Sequence, residues 1–151
     1  MPRSSRLLNL SAKSPLSTLW SRVHAELYRR TGGRFIPKWF GGPVMVIETV
    51  GRKSGERRTT MLTAAHEIDD SVVIIASYGG DDRHPAWYLN LAANPDVDVE
   101  MRGKKRAMHA RVVKGAERDG LWSEITSKHA NYAEYQRKTK REIPVVVLEP
   151  A

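Results

Sequence analysis

The sequence predicts an α+β chain built mainly from a small antiparallel β-barrel. Two observations point to it. Six apolar or alternating stretches of strand length follow one another with closely spaced turn signals, and the helical pieces between them are few and short. A doubly wound parallel sheet would need a longer helix between consecutive strands. The 151 residues hold no internal repeat and read as residues 1–38, a basic arm and helix, followed by residues 39–151, the barrel.

Residues 1–15, with Pro2, Pro15 and several serines, read as a flexible arm. Leu16, Leu19, Trp20, Val23, Leu27 and Tyr28 then recur at three- and four-residue steps, the spacing of one helix face. Ser14 is its candidate N-cap and Gly32-Gly33 its stop. Such a helix either packs on the body or, with Arg22, Arg29 and Arg30 around the wheel, lies on a membrane surface.

Val44 to Val50 is apolar and β-branched, and Arg57 to Ala65 and Ser71 to Ser77 follow as strands, the last after the turn signal Asp69-Asp70. Pro85 to Ala93 is a short helix that stops at Asn94-Pro95. In Pro95 to Met101 the acids Asp96, Asp98 and Glu100 alternate with Val97, Val99 and Met101, which marks a strand with one wet face. Arg106 to Lys114 is its hairpin partner, with Met108, Ala110 and Val112 on one side. Ala116 to Ser127 and the stretch "HANYAEYQRKT" form a second helical region, and "IPVVVLEP" is a last buried strand.

The net charge of +8 is unevenly distributed. Residues 1–38 hold eight cations and one acid, Glu26, whereas residues 39–151 hold 17 cations against 16 acids. The segment "GRKSGERR" therefore stands out, with Arg52, Lys53, Arg57 and Arg58 around Gly51, Ser54 and Gly55. It lacks the Gly-x-x-x-x-Gly-Lys spacing of a Walker loop and is followed by a strand instead of a helix. It is either a solvated hairpin tip or a pocket for phosphate or carboxylate, built from backbone amides and cationic side chains.

Other chemistry is sparse. There is no cysteine, which excludes disulfides, thiolate metal sites and thiol nucleophiles and fits a cytoplasmic protein. No apolar run approaches the roughly 20 residues that cross a bilayer. His24, His66, His109 and His129 lack metal-ligand spacing, and His84 before Pro85 reads as a cap or surface residue. Trp87 and Tyr88 read as core aromatics, while Ser77 and Tyr78 lie where a strand runs into glycines, a common place to meet a ligand. Tyr132 and Tyr135 share a helix face and either pack on the barrel or line a pocket. Cations at one end and aromatics at the other would suit a flat ring with a long anionic tail.

Three stretches, "VGRKSGERR", "HPAWYLNLAANPDVDVEM" and "YAEYQRKTKREIPVVVLEP", carry a resemblance. In order and spacing they resemble the deazaflavin-dependent nitroreductase and F420H2-dependent quinone reductase family of actinobacteria, from about Pro43 to Pro150. The resemblance implies a split β-barrel of the FMN-binding type. It also implies coenzyme F420, an 8-hydroxy-5-deazaflavin with a phosphate and an oligoglutamate tail. Arg52, Lys53, Ser54 and Arg58 would hold the phosphate or tail. Ser77, Trp87 and Asn90 would line the deazaflavin end, and Tyr132 and Tyr135 would wall the substrate over the ring. The implied reaction is hydride transfer to a quinone, an enone or lactone, or a nitroaromatic, with Ser77, Tyr132 or Tyr135 as hydrogen-bond or proton donor.

The chain departs from the family's nitroimidazole-activating pattern at Thr63, Tyr78 and His129, at the reacting end, while the anion end is kept. Thr63 in place of a tyrosine leaves room for bulkier acceptors. Two alternatives remain at this level, an FMN-dependent reductase of the same fold and a non-catalytic carrier of the cofactor. Nucleic acid is disfavoured by the near-neutral body. The basic N-terminal segment implies peripheral contact with the inner face of the cell membrane.

Overall fold

The computed structural model describes residues 42–151, and the expected arm and helix at residues 1–38 lie outside them. Strands β1 (Val44–Val50), β2 (Arg57–Thr63), β3 (His66–Ile68) and β4 (Ser71–Ile75) come first. A 3-10 turn (Tyr78–Gly80) and helix α1 (Ala86–Ala93) lead into β5 (Asp96–Met101) and β6 (Lys104–Val112). Helices α2 (Gly115–Lys128) and α3 (Ala130–Arg137) precede β7 (Val145–Pro150). Every strand pair is antiparallel, in the order β2-β1-β5-β6-β7-β4-β3.

That order forces the sheet to curl. β2 and β3 stand at its two ends, yet only Ala64 and Ala65 separate Thr63 from His66. Three peptide steps span about 10 Å at most, whereas seven flat strands would be about 29 Å across. Ala64 donates to the Pro43 carbonyl at 2.8 Å and Ala65 to the Val73 carbonyl at 2.9 Å. Neighbouring amides thus bond to opposite margins of the sheet, and the barrel closes there. The expected strand Arg57 to Ala65 therefore ends at Thr63, and His66–Ile68 adds a seventh strand that its short, mixed sequence conceals.

Side-chain alternation builds two cores. Met45, Ile47, Val72, Ile74, Val97, Val99, Met108 and Leu148 fill the barrel with Trp87 and Leu91 of α1. Val73, Ile75, Val145 and Val147 point the other way and pack against Ile125 of α2 and Tyr132 of α3. Strands β4 and β7 are buried on both faces, which is why "VVII" and "VVVL" are unbroken apolar runs. β5 keeps its acids on the wetter face, as its alternation predicts.

Local turn chemistry fixes the connections. Arg102 (φ 52°) and Gly103 (φ 77°) make the two-residue link between β5 and β6, both left-handed as the twist of a tight hairpin requires. The second helical region breaks at His129 (φ −131°, ψ 82°), which separates α2 from α3.

Candidate functional site

The cationic segment is the six-residue link between β1 and β2, whose last pair is Val50 and Arg57. Gly51 N–H donates to the Glu56 carbonyl at 2.7 Å, and Gly55 N–H to the Gly51 carbonyl at 2.8 Å. Ser54 Oγ accepts from the Glu56 amide at 3.2 Å. A Cβ at position 51 would lie 2.6 Å from Ser54 Oγ and 3.2 Å from the Glu56 carbonyl, so any other residue there must displace the Ser54 hydroxyl. The loop is therefore a fixed structure with exposed charges, not a loose tip.

Its four cations divide by environment. Arg57 reaches Glu48 and, at 3.3 Å, Asp98. Glu48 and Asp98 face each other across β1 and β5, and like charges so placed repel, so Arg57 relieves that strain. Arg58 lies 3.4 Å from Glu56, a surface pair. Arg52 and Lys53 are exposed and have no carboxylate partner among the described residues. Arg52 instead donates its amide (3.2 Å) and Nη1 (2.9 Å) to Oδ1 of Asn90, a buried residue of α1.

Helix α1 connects this hairpin to the end of β4. Trp87, one turn before Asn90, is buried in the barrel core, and Tyr88 is half-buried. Ser77 follows β4 and is half-buried, and Tyr78 after it has φ 47°. The Ser77 carbonyl accepts from Gly80 N–H and from Arg141 Nη2, both at 2.9 Å. The Tyr88 ring packs against His84 at a tilt of 44°, with centroids 4.8 Å apart. Asp82 accepts from the Thr139 hydroxyl at 2.9 Å, tying this turn to the chain after α3.

Tyr132 and Tyr135 lie in the outer layer, their rings 6.3 Å apart and nearly perpendicular. Tyr132 is buried, and that burial pushes its phenol above the usual tyrosine range, with Tyr135 adding to the shift. α3 meets the Ser77 turn at Gly80, where a Cβ would come within 2.7 Å of the Tyr135 carbonyl. Arg83 beside Asp81 holds that carboxyl at about 2.

The predicted site residues thus form two groups. Arg52, Ser54 and Arg58 gather with Asn90, which reaches the anion loop; Lys53 sits on the same loop. The Ser77 turn meets the backbone of α3 at Gly80, beside the Tyr135 carbonyl, while Tyr132 packs in the outer core with Val73 and Ile75. A cavity of about 390 Å³ lies elsewhere, lined by Thr49, Val97 and Met108 together with Glu48, Asp96, Asp98 and Arg57. Three acids against Arg57 disfavour a polyanion, and none of the predicted site residues lines it. His84 departs from expectation, since it neither caps α1, whose N-cap is Pro85, nor lies exposed. It contacts Arg141, which sequence reading passed over although it stands inside "TKREIP".

No His/Asp/Glu cluster among the described residues suits a metal ion. An exposed cationic loop held by backbone bonds, with two of its cations lacking carboxylate partners among the described residues, does suit a phosphate or polycarboxylate chain.

Comparison with known proteins supplies the family. The family model "F420H(2)-dependent quinone reductase" matches residues 20–150. The F420H(2)-dependent quinone reductase Rv1261c of Mycobacterium tuberculosis is 42% identical over 131 residues, covering 84% of this chain and 87% of that protein. A solved F420-H2 dependent reductase, FDR-A, superposes with TM-score 0.64 at 40% identity, covering 71% of this chain and 94% of its own. A domain-swapped dimer superposes with TM-score 0.67 at 36% identity, covering 87% and 98%. The split barrel, its cationic hairpin and these relatives together establish that the chain belongs to the F420H2-dependent quinone reductase family.

Proposed function

We propose that this protein is an oxidoreductase that transfers a hydride from reduced coenzyme F420 to a quinone. The observation that carries this reading is the Asn90-anchored hairpin, which presents Arg52, Lys53 and Arg58 to solvent on a rigid loop. Those cations and the Ser54 backbone would hold the phosphate and glutamates by charge-assisted hydrogen bonds. The bound coenzyme supplies the hydride from its reduced ring carbon. The chain supplies position: α1 spans from Asn90 at the anion loop back to Trp87 and the Ser77 turn, about 5 Å per helical turn. Tyr132, Tyr135 and Ser77 would face the acceptor and hydrogen-bond its oxygen.

The test is direct. F420 should quench on titration with the purified chain, and F420H2 should be oxidised by menadione. Failure of F420 to bind at low ionic strength would sink the reading, and a yellow, FMN-loaded protein would replace it with the flavin alternative. Enones and nitroimidazoles tested alongside define the acceptor range, and Thr63 predicts that bulkier acceptors outperform compact nitroimidazoles.

The excess of seven positive charges in residues 1–38 supports a second element, peripheral attachment to anionic lipid at the inner membrane face, where quinones dissolve. Liposomes containing anionic lipid should pellet the full chain and leave a chain lacking residues 1–38 in solution. Equal pelleting of both refutes it.

A further inference from the structure

Arg141, on the link between α3 and β7, is half-buried and engages neighbours with all three guanidinium nitrogens. Nε donates to the Asp81 carbonyl at 2.8 Å and Nη2 to the Ser77 carbonyl at 2.9 Å. Nη1 donates to the Ala76 carbonyl at 3.2 Å and meets Nδ1 of His84 at 3.3 Å. A guanidinium has donors only, so at the last contact Nδ1 must be the acceptor. An imidazole whose Nδ1 accepts carries its single proton on Nε2 and is neutral.

We propose that Arg141 and His84 form a positioning pair of the hydride-transfer site. Arg141 locks His84 as the Nε2–H tautomer, a fixed neutral hydrogen-bond donor tied to the same guanidinium that holds Ser77. The pair's role at that site rests on the functional reading above, which places Ser77 at the ring end.

The surroundings agree with the geometry. Burial first, then the charges of Arg141 and Lys114, lower His84 below the ordinary histidine value. Tyr88 packs on the ring and carries no charge at neutral pH. The nearby acids are engaged elsewhere, Asp81 with Arg83 at 2.9 Å and Asp82 with Thr139 at 2.9 Å.

A chemical consequence follows. Reduction of a quinone to a hydroquinone takes one hydride, from F420H2, and one proton. A neutral imidazole can donate a hydrogen bond to the acceptor oxygen, but giving up its proton would leave an imidazolate. In this proposal Nε2–H of His84 would orient the acceptor, and the proton would come from a tyrosine hydroxyl or water.

The pair is tested without cofactor by nitrogen NMR of histidine-labelled full-length protein, with His84→Gln identifying the His84 signals by their loss. Expected are an unprotonated Nδ1 and a protonated Nε2 that persist below the usual histidine midpoint. A proton on Nδ1 of His84, or its titration at about 6.5, overturns the proposal, the signals being assigned by His84→Gln or, should that variant not fold, by backbone-linked NMR assignment of the wild-type protein. In Arg141→Met the midpoint should rise toward the ordinary histidine value, with burial still holding it lower, and an unchanged spectrum there also overturns the proposal.

With F420H2 and menadione, His84→Phe should lower kcat about tenfold with KM for F420H2 within about twofold, and His84→Gln, which keeps an N–H donor, should recover part of it. An unaltered kcat in His84→Phe refutes the positioning role. Wild-type protein that ignores F420 but shows the locked tautomer refutes the functional reading instead, so the two failures are distinct.

Discussion

Asn90 accepts two hydrogen bonds from Arg52, one from its backbone amide at 3.2 Å and one from its guanidinium at 2.9 Å. Because Asn90 is buried on α1, the helix that carries Trp87 into the barrel, these bonds tie the cationic loop to the core. Asn90→Ala should cost about 1–2 kcal/mol, since it strands the Arg52 amide, and should weaken F420 binding. Asn90→Asp should restore the pairing but place a carboxylate beside a polyanion. Thermal unfolding should rank Asp above Ala, and F420 titration should rank Asp at or below Ala. The same ranking in both assays contradicts the argument.

The four hairpin cations should separate cleanly. Arg52→Ala, Lys53→Ala and Arg58→Ala should each weaken F420 about tenfold, the scale of one charge-assisted hydrogen bond, with less effect at high salt. Arg57→Ala should leave affinity within about twofold but lower the unfolding midpoint, because it leaves the largely buried Glu48 facing Asp98 without the cation between them. Equal losses across all four would mean that the loop acts only as diffuse charge.

Tyr132 tests chemistry against packing. Its hydroxyl makes no hydrogen bond among the described residues, so Tyr132→Phe should keep stability within about 0.5 kcal/mol. If the hydroxyl serves the acceptor, kcat/KM falls about tenfold, and Tyr132→Phe with Tyr135→Phe falls further. Burial raises the Tyr132 phenol, so the folded chain keeps a proton that the unfolded chain releases. That contribution is full below about pH 10 and is lost as pH rises above it; Tyr132→Phe should blunt the alkaline decline seen in pH-resolved melts.

Gly80 and Gly79 form a matched pair. Both have positive φ, 86° and 63°. A Cβ at Gly80 would lie 2.7 Å from the Tyr135 carbonyl, while one at Gly79 meets nothing within 4 Å. Gly79→Ala should cost about 1–2 kcal/mol for the left-handed backbone alone. Gly80→Ala should cost more and lower kcat, because it pushes α3 away from the Ser77 turn. Similar melting points for the two would show that this contact is not tight.

Much of the barrel is legible along the chain, because its signals are local. The alternation in "DVDVEM" marks β5 and the unbroken "VVVL" marks a strand covered on both faces, each set by side chains two residues apart. β3 is not legible, since "HEI" has no apolar period, and it exists through pairing with β4 and through closure at Ala64-Ala65. The cationic loop and the tyrosine pair are visible as residue types at fixed spacing. Their partners are not: Arg52 meets Asn90 across 38 residues and Arg141 meets Ser77 across 64.

The sequence by itself determined six of the seven strands among the described residues, the charged hairpin and the family. Tertiary structure alone decided that Arg57 serves the sheet, that Asn90 holds the anion loop and that Arg141 orients His84. The reason is physical. Periodicity and turn chemistry act between neighbours in the chain, whereas a hydrogen bond between buried groups depends on where a closed sheet brings distant residues together.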